Sequence, residues 1–192
     1  MSGMPPVAAV ESNLAIPADA LVMLVGASGS GKSWWAHTFF SETRIVSSDR
    51  CRALVADDET DQSVNRAAFA VFYTIIGQRL SLRRLTIADS TSLSPFSRER
   101  LRNIAGNAEV PLHVLVVCTP LPVLMRNNHA RVRRVPDPVL KRHAGQLREM
   151  LDSGVLETEG YAAVHHVPFH SLTAVAPLIV APTDRATPIS AP

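Results

Sequence analysis

The chain has 192 residues, of which 46% are hydrophobic and 19% are charged. These proportions are typical of a globular domain, and the length is sufficient for one domain with its own core. A formal net charge of +2 at pH 7 excludes a generally basic nucleic-acid-binding protein. Neither a membrane-spanning apolar run nor a signal-peptide core is found, so we expect no membrane partner and a cytoplasmic location.

The chain is predicted to have a folded centre and two loosely ordered ends. Residues 1–19 are rich in Pro and Ala and predict a flexible lead-in. Residues 20–170 carry regular apolar patterning and predict one folded domain. Residues 171–192 are again rich in Pro, Ala and Thr, which favours a disordered tail.

The patterning between these ends alternates strands and helices. Apolar runs predict strands over about 20–25, 45–49, 85–88, 112–117 and 163–167. Helical spacing and capping residues predict helices over about 32–40, 64–80, 94–107, 120–127 and 136–151. This alternation predicts an α/β fold with a mostly parallel sheet flanked by helices on both faces.

A phosphate-binding loop follows the first predicted strand. The pattern G-x-x-x-x-G-K-[ST] is complete in Gly26, Ala27, Ser28, Gly29, Ser30, Gly31, Lys32 and Ser33. Glycines allow successive backbone N–H groups to surround phosphates, and the helix start adds partial positive charge. Lys32 is suited to the β- and γ-phosphates and Ser33 to Mg²⁺. We therefore predict binding of a nucleoside triphosphate, with ATP and Mg²⁺ as cofactors.

Polar residues at the ends of later strands are the next candidates, because ligands of such sheets bind beyond the carboxyl ends of the strands. Asp49 is placed to accept a proton from a substrate hydroxyl, and Arg52 to hold a substrate anion. Asp89 ends an apolar strand, as a Mg²⁺-binding carboxylate does, and Thr91, two residues on, is a candidate substrate-binding residue together with Asp49 and Arg52. The alternative is that both carboxylates are turn or helix caps and that Arg52 is a solvated helix residue.

An arginine-rich stretch follows the fourth strand and predicts a helical lid. Arg126 and Arg131 are suited to closing over ATP, with Arg133 and Arg134 behind them. Such a cluster is also typical of a solvated surface. The lid interpretation leads here because small phosphate-loop kinases carry their lids at this position.

Together these motifs resemble the kinase module of bacterial polynucleotide kinase-phosphatases, over residues 20–168. The phosphate loop and the Ser47-Ser48-Asp49 motif with Arg52 three residues on are its most specific part. The resemblance implies ATP-dependent phosphorylation of 5′-hydroxyl ends of DNA or RNA in nucleic-acid repair. It implies that Asp49 is the general base, Arg52 binds a substrate phosphate and Arg126 grips the ATP phosphates.

The chain departs from this family at several positions. Ser92 stands where the family usually has Asn, and Trp34 replaces a small polar residue. Pro136 and Pro138 alter the spacing of the lid. No phosphatase or ligase motif accompanies the kinase motifs, so we expect those activities to come from separately encoded repair enzymes.

Two other functions are compatible with these residues. A phosphate-loop kinase of a small hydroxyl compound, such as a sugar, an antibiotic or a nucleotide sugar, would use Asp49 and the lid equally well. A binding module switched by ATP would need the loop but not the base. Length-dependent activity on oligonucleotides would distinguish the first function from both.

Overall fold

The fold centres on a five-stranded parallel sheet. The structure is a computed structural model that describes residues 13–131 and 134–182. The strand order is β3-β4-β2-β5-β6, and every neighbouring pair is parallel. The strands are β2 (Leu21–Val25), β3 (Ile45–Ser47), β4 (Thr86–Asp89), β5 (Leu112–Cys118) and β6 (Ala163–Pro168). A second, two-stranded parallel sheet pairs β1 (Asn13–Pro17) with β7 (Ala176–Val180).

Seven α-helices connect these strands within the described residues. They are α1 (Lys32–Phe39), α2 (Ser48–Ala56), α3 (Asn65–Ser81), α4 (Pro95–Asn107), α5 (Leu121–His129), α6 (Asp137–Asp152) and α7 (Val155–Thr158). Pro95 occupies the first turn of α4, as the order Ser94-Pro95 predicted. The predicted α/β fold, a mostly parallel sheet between helices, is therefore confirmed.

The sheet is covered on both faces, which explains the continuous apolar runs of its central strands. Alternate residues of β2 enter different cores: Leu21 and Met23 pack on one side, Val22 and Leu24 on the other. The first core also contains α3 and α4 residues, and the second contains Trp35 of α1. Because both faces are dry, neither face of β2 requires polar side chains.

Two predictions about secondary structure were wrong. Asn13–Pro17 and Ala176–Val180 are strands rather than part of a loose lead-in and tail, because Ile16 (0% exposed) packs into the second core. The third strand ends at Ser47, and Ser48–Ala56 form a helix that its weak apolar pattern did not predict. The remainder of the predicted lead-in and tail, residues 1–12 and 183–192, lies outside the described residues.

In the described part of the chain, no helix is both long and apolar enough to cross a bilayer.

Candidate active site

The phosphate loop joins the central strand β2 to helix α1. The Gly26 N–H donates to the Thr91 carbonyl oxygen (3.1 Å), which ties the loop to the segment after β4. Gly31 has φ of +98°, and a Cβ there would lie 2.7 Å from Leu172 Cδ2. A side chain at position 31 would therefore be strained by both its backbone and its neighbour. The glycines predicted from the motif thus have a steric reason in this fold.

Lys32 lies inside the curve of the loop. Its Nζ donates to the carbonyl oxygens of Gly26 (2.8 Å) and Ala27 (2.7 Å) and to Ser30 Oγ (3.2 Å). The residue is only 6% exposed, and this burial lowers the pKa of its ammonium to about 8, although Asp89 opposes the shift. At neutral pH the ammonium is therefore still charged, at the centre of the loop.

Asp89 ends β4 beside the start of α1. It is 6% exposed, and burial raises the pKa of its carboxyl, while Lys32 and hydrogen bonding from Ser33 lower it. A hydroxyl and a carboxylate at the end of the loop are the oxygen donors that Mg²⁺ uses in phosphate-loop proteins. Ser33 and Asp89, both predicted as metal ligands, therefore form a donor set that fits Mg²⁺.

The described residues hold no cluster of three His, Cys, Asp or Glu side chains with metal-binding geometry.

Asp49 lies in the first turn of α2, at the same edge of the sheet. Its carboxylate is half-exposed, and its charge influences both Lys32 and Asp89, which places the three groups together. Arg52, one turn later, donates through Nη1 to Asp49 Oδ1 (2.7 Å). Helix α2 thus brings a carboxylate close enough to Lys32 and Asp89 to act on both charges.

The guanidinium of Arg52 is not open to solvent, as that of a substrate-binding arginine would be, but is buried and hydrogen-bonded within the protein. The residue is 4% exposed, and its guanidinium also donates to Asn65 Oδ1 (3.1 and 2.9 Å) and to the Glu59 carbonyl oxygen (2.9 Å). In the structure Arg52 therefore orients Asp49 and holds α2 against the start of α3. Its contact with a substrate phosphate stays a prediction.

The stretch predicted as a lid corresponds to helices α5 and α6. Asn128, 2% exposed, links them by donating to the Val135 carbonyl oxygen (2.8 Å) and accepting from the Val135 N–H (2.9 Å). On the loop side, Asn127 Nδ2 donates to the Gly29 carbonyl oxygen (3.3 Å). From α6, His143 Nδ1 lies 3.5 Å from the Ser28 nitrogen and 3.4 Å from its Oγ.

The predicted lid arginines are placed differently from one another. Arg131 is exposed, and its charge contributes to the lowered pKa of Lys32, so it lies near the phosphate loop. Arg126 is exposed on α5 immediately before Asn127. Arg134 is exposed as well, and Arg133 lies outside the described residues. Among the described lid arginines, the charge that acts on Lys32 of the loop is that of Arg131, and contact of Arg126 with the ATP phosphates stays a prediction.

The contacts of Asn127 and His143 with the phosphate loop were not predicted from the sequence. Burial lowers the pKa of the His143 imidazole, and the cations Arg142 and Lys32 lower it further. A neutral imidazole can accept a hydrogen bond from the Ser28 N–H at Nδ1. Asn127 follows the predicted lid residue Arg126 and His143 follows Arg142, which is a weak signal, and nothing in the spacing shows which loop atoms they reach.

These features define a P-loop kinase-like, nucleotide-binding fold. They are the parallel sheet, the glycine loop at the end of its central strand, the adjacent strand ending in Asp89, and the helices of the predicted lid. Residues 21–153 match the AAA domain family, and the chain belongs to that family. No curated protein sequence matches the chain.

Solved structures share this fold at low sequence identity. The chain is similar to a chain of the Pnkp1/Rnl/Hen1 RNA repair complex, with a TM-score of 0.61 and 22% identity. That similarity covers 70% of this chain and 45% of the other, so the chain spans less than half of that protein. A gluconokinase from Sinorhizobium meliloti 1021 has a TM-score of 0.53 at 18% identity, covering 83% and 89%. Kti12 of Chaetomium thermophilum, in complex with ADP-AlF3, has a TM-score of 0.57 at 18% identity, and the similarity covers 77% of this chain and 88% of Kti12.

Proposed function

We propose that the protein is an ATP-dependent kinase that transfers the γ-phosphate of ATP to the 5′-hydroxyl end of DNA or RNA. The observation that carries this proposal is the half-exposed Asp49 carboxylate, held by Arg52 beside the phosphate loop. A binding loop alone needs no such group, whereas transfer to a hydroxyl needs a base within reach of the acceptor. The similarity to a chain of an RNA repair complex supports a polynucleotide as the acceptor.

In this mechanism the loop binds the ATP phosphates through backbone N–H groups and Lys32. The phosphates would compete with the Gly26 and Ala27 carbonyl oxygens for the Lys32 ammonium, and with His143 for the Ser28 N–H. Ser33 and Asp89 would hold Mg²⁺, which neutralises charge on the phosphates when it is bound. Asp49 takes the proton of the 5′-hydroxyl while the hydroxyl oxygen bonds to the γ-phosphorus. The bond between the γ-phosphorus and the oxygen of the leaving ADP breaks in the same step.

The experiment measures transfer of labelled γ-phosphate from ATP with Mg²⁺ to a 5′-hydroxyl oligonucleotide. We expect Asp49→Asn to lower the rate by about 10²- to 10⁴-fold, the usual contribution of a general base, while ATP binding persists. Lys32→Ala should weaken ATP binding itself. Asp57→Asn is the matched control, because it makes the same change at the other end of α2 and Asn tolerates the left-handed backbone there. Equal activity of wild type and Asp49→Asn would contradict the proposed base.

A small hydroxyl acceptor is the second candidate. The gluconokinase matches this chain over nearly the full length of both proteins, so a domain of this size can be a small-molecule kinase. A panel of sugars and nucleosides run beside the oligonucleotide distinguishes the two acceptors. Affinity that rises with oligonucleotide length and falls with salt supports the polynucleotide. Labelling of a small acceptor alone supports the second candidate, and ATP hydrolysis without any labelled acceptor supports a nucleotide-switched binding module.

A further inference from the structure

A cavity of about 560 Å³ lies at the amino ends of the parallel strands, on the side of the sheet opposite the phosphate loop. Its wall includes Ala18 just before β2, Arg44 just before β3, and Arg83 to Leu85 just before β4. The phosphate loop follows the other end of β2, so about 15 Å of strand separates the two sites, at about 3.3 Å per residue. The cavity is therefore separate from the candidate active site.

Four arginines line the cavity: Arg44, Arg79, Arg83 and Arg84. None of the described lining residues is acidic. Asp19 and Glu109 lie close by, and both pair with Arg83, at 3.5 and 3.9 Å. In the part of the chain that the structure describes, no carboxylate forms an ion pair with the other three arginines, so the cavity has an excess of positive charge.

Two of these guanidinium groups are held in place by the fold. Arg79 donates through Nε to Thr86 Oγ1 (3.1 Å) and through Nη2 to the Leu85 carbonyl oxygen (3.0 Å). These bonds use two of its five N–H donors. The four arginines line the same cavity, and the pKa of Arg79 is lowered by its burial and, less strongly, by the charges of Arg44 and Arg84. An anion in the cavity would offset the repulsion between these like charges.

Arg83 supplies an independent sign of a ligand site. Its Nη1 donates to the Glu109 carbonyl oxygen (2.7 Å), whereas its Nη2 lies 3.9 Å from Glu109 Oε2 and is buried with no acceptor at hydrogen-bond distance among the described residues. A buried donor without an acceptor is costly, and most such donors in folded proteins have a partner. An anion in the cavity would provide one.

We infer that this cavity binds a compact anion that carries two or more phosphate groups. Guanidinium groups match phosphate oxygens in pairs, and four of them can neutralise more charge than one carboxylate or one phosphate carries. The volume is in the range of small-molecule sites. No described lining residue is aromatic, so the cavity lacks the stacking surface that single-stranded nucleic acid uses. This inference does not depend on the proposed kinase reaction.

The test uses inorganic pyrophosphate as the probe and calorimetric titration of the full chain. Since the phosphate loop also binds phosphates, all titrations use the Lys32→Ala background. We expect one pyrophosphate site there, weakened at least tenfold by adding Arg44→Gln with Arg84→Gln. Both arginines are exposed, and neither side chain forms a hydrogen bond or ion pair with another described residue, so the fold should persist. Arg100→Gln with Arg148→Gln removes the same charge elsewhere and should leave the site intact.

Three results would overturn the inference. The first is absence of pyrophosphate binding in the Lys32→Ala background. The second is a loss of pyrophosphate affinity in the control pair Arg100→Gln with Arg148→Gln as large as that in Arg44→Gln with Arg84→Gln. The third is equal affinity for sulfate and pyrophosphate at matched ionic strength. A second measurement needs no variant: phenylglyoxal labels arginines of the wild-type chain, and mass spectrometry locates the labels. Pyrophosphate should protect Arg44 and Arg84 but not Arg100, and labelling of all three to the same extent would also count against the site.

Discussion

At the scale of the residue, Lys32 is a buried cation whose charge depends on pH. Burial lowers its pKa to about 8, so the ammonium is charged below that pH and loses its proton above it. We expect ATP affinity to be constant up to about pH 8 and then to fall by about tenfold per pH unit, the slope for one linked proton. Bound phosphates favour the charged form, so the pKa of Lys32 is higher in the ATP complex than in the free protein. The affinity therefore falls over the pH range between these two pKa values. Equilibrium binding of ATP between pH 7 and 10 measures the effect.

The matched variant for this prediction is Lys32→Arg. A guanidinium stays protonated throughout this range, so ATP affinity of the variant should not fall with pH even if its absolute value is lower. An equal decline in both proteins would show that another group titrates.

Local sequence predicts the residues of the loop well, because the loop is one continuous segment whose glycines, Lys32 and Ser33 act within a few residues of one another. Local sequence predicts the contacts of Arg52 less well. Asn65 and the Glu59 carbonyl oxygen, which hold its guanidinium, come from the next helix and the turn before it. A residue whose partners lie on other elements cannot be assigned its contacts from spacing.

At the scale of the element, an ion pair joins α4 to the segment that leads into β6. Arg98, 2% exposed, donates through Nε and Nη2 to the two carboxylate oxygens of Glu159 (2.9 and 2.8 Å). Arg102 and Tyr161 also bond to Glu159, at its carbonyl oxygen and its carboxylate. This network fixes helix α4 against the edge strand of the sheet.

We expect Glu159→Gln to lower the free energy of unfolding by about 3 kcal/mol, because it leaves the buried Arg98 without a counter-charge. Denaturant unfolding with an unchanged slope measures the loss. The control is Asp152→Asn, which breaks the exposed pair of Arg148 and Asp152 (3.5 Å) and should cost less than about 0.5 kcal/mol. Similar costs for the two variants would contradict a structural role for the buried pair.

At the scale of the whole molecule, the two ends of the described chain close the second core. Strand β1 pairs in parallel with β7, with Ile16 opposite Ile179. Trp35 Nε1 of α1 donates to the Val175 carbonyl oxygen (2.8 Å), just before β7. The terminal strands therefore support the helix that begins at the phosphate loop.

The two isoleucines provide a paired test of this arrangement. Ile16 is 0% exposed and Ile179 is 40% exposed. We expect Ile16→Ala to cost about 2–5 kcal/mol in unfolding free energy, since it opens a cavity in the core, and Ile179→Ala to cost less than about 1 kcal/mol. Thermal unfolding of both variants decides the matter. If Ile16→Ala is as mild as Ile179→Ala, the terminal strands do not belong to the cooperative fold.

The sequence by itself determined the alternation of strands and helices, the phosphate loop, and two carboxylates, Asp49 just after β3 and Asp89 at the end of β4. These features depend on periodicity and on residues close together in the chain. Only the tertiary structure decided that Asn65 and the Glu59 carbonyl oxygen hold Arg52, that His143 reaches Ser28, and that four arginines meet at the far edge of the sheet. It also decided that the ends of the described chain pair as strands. The physical reason is the same in each case: these contacts join elements that the sheet brings together, and their energy depends on burial and distance that spacing along the chain does not contain.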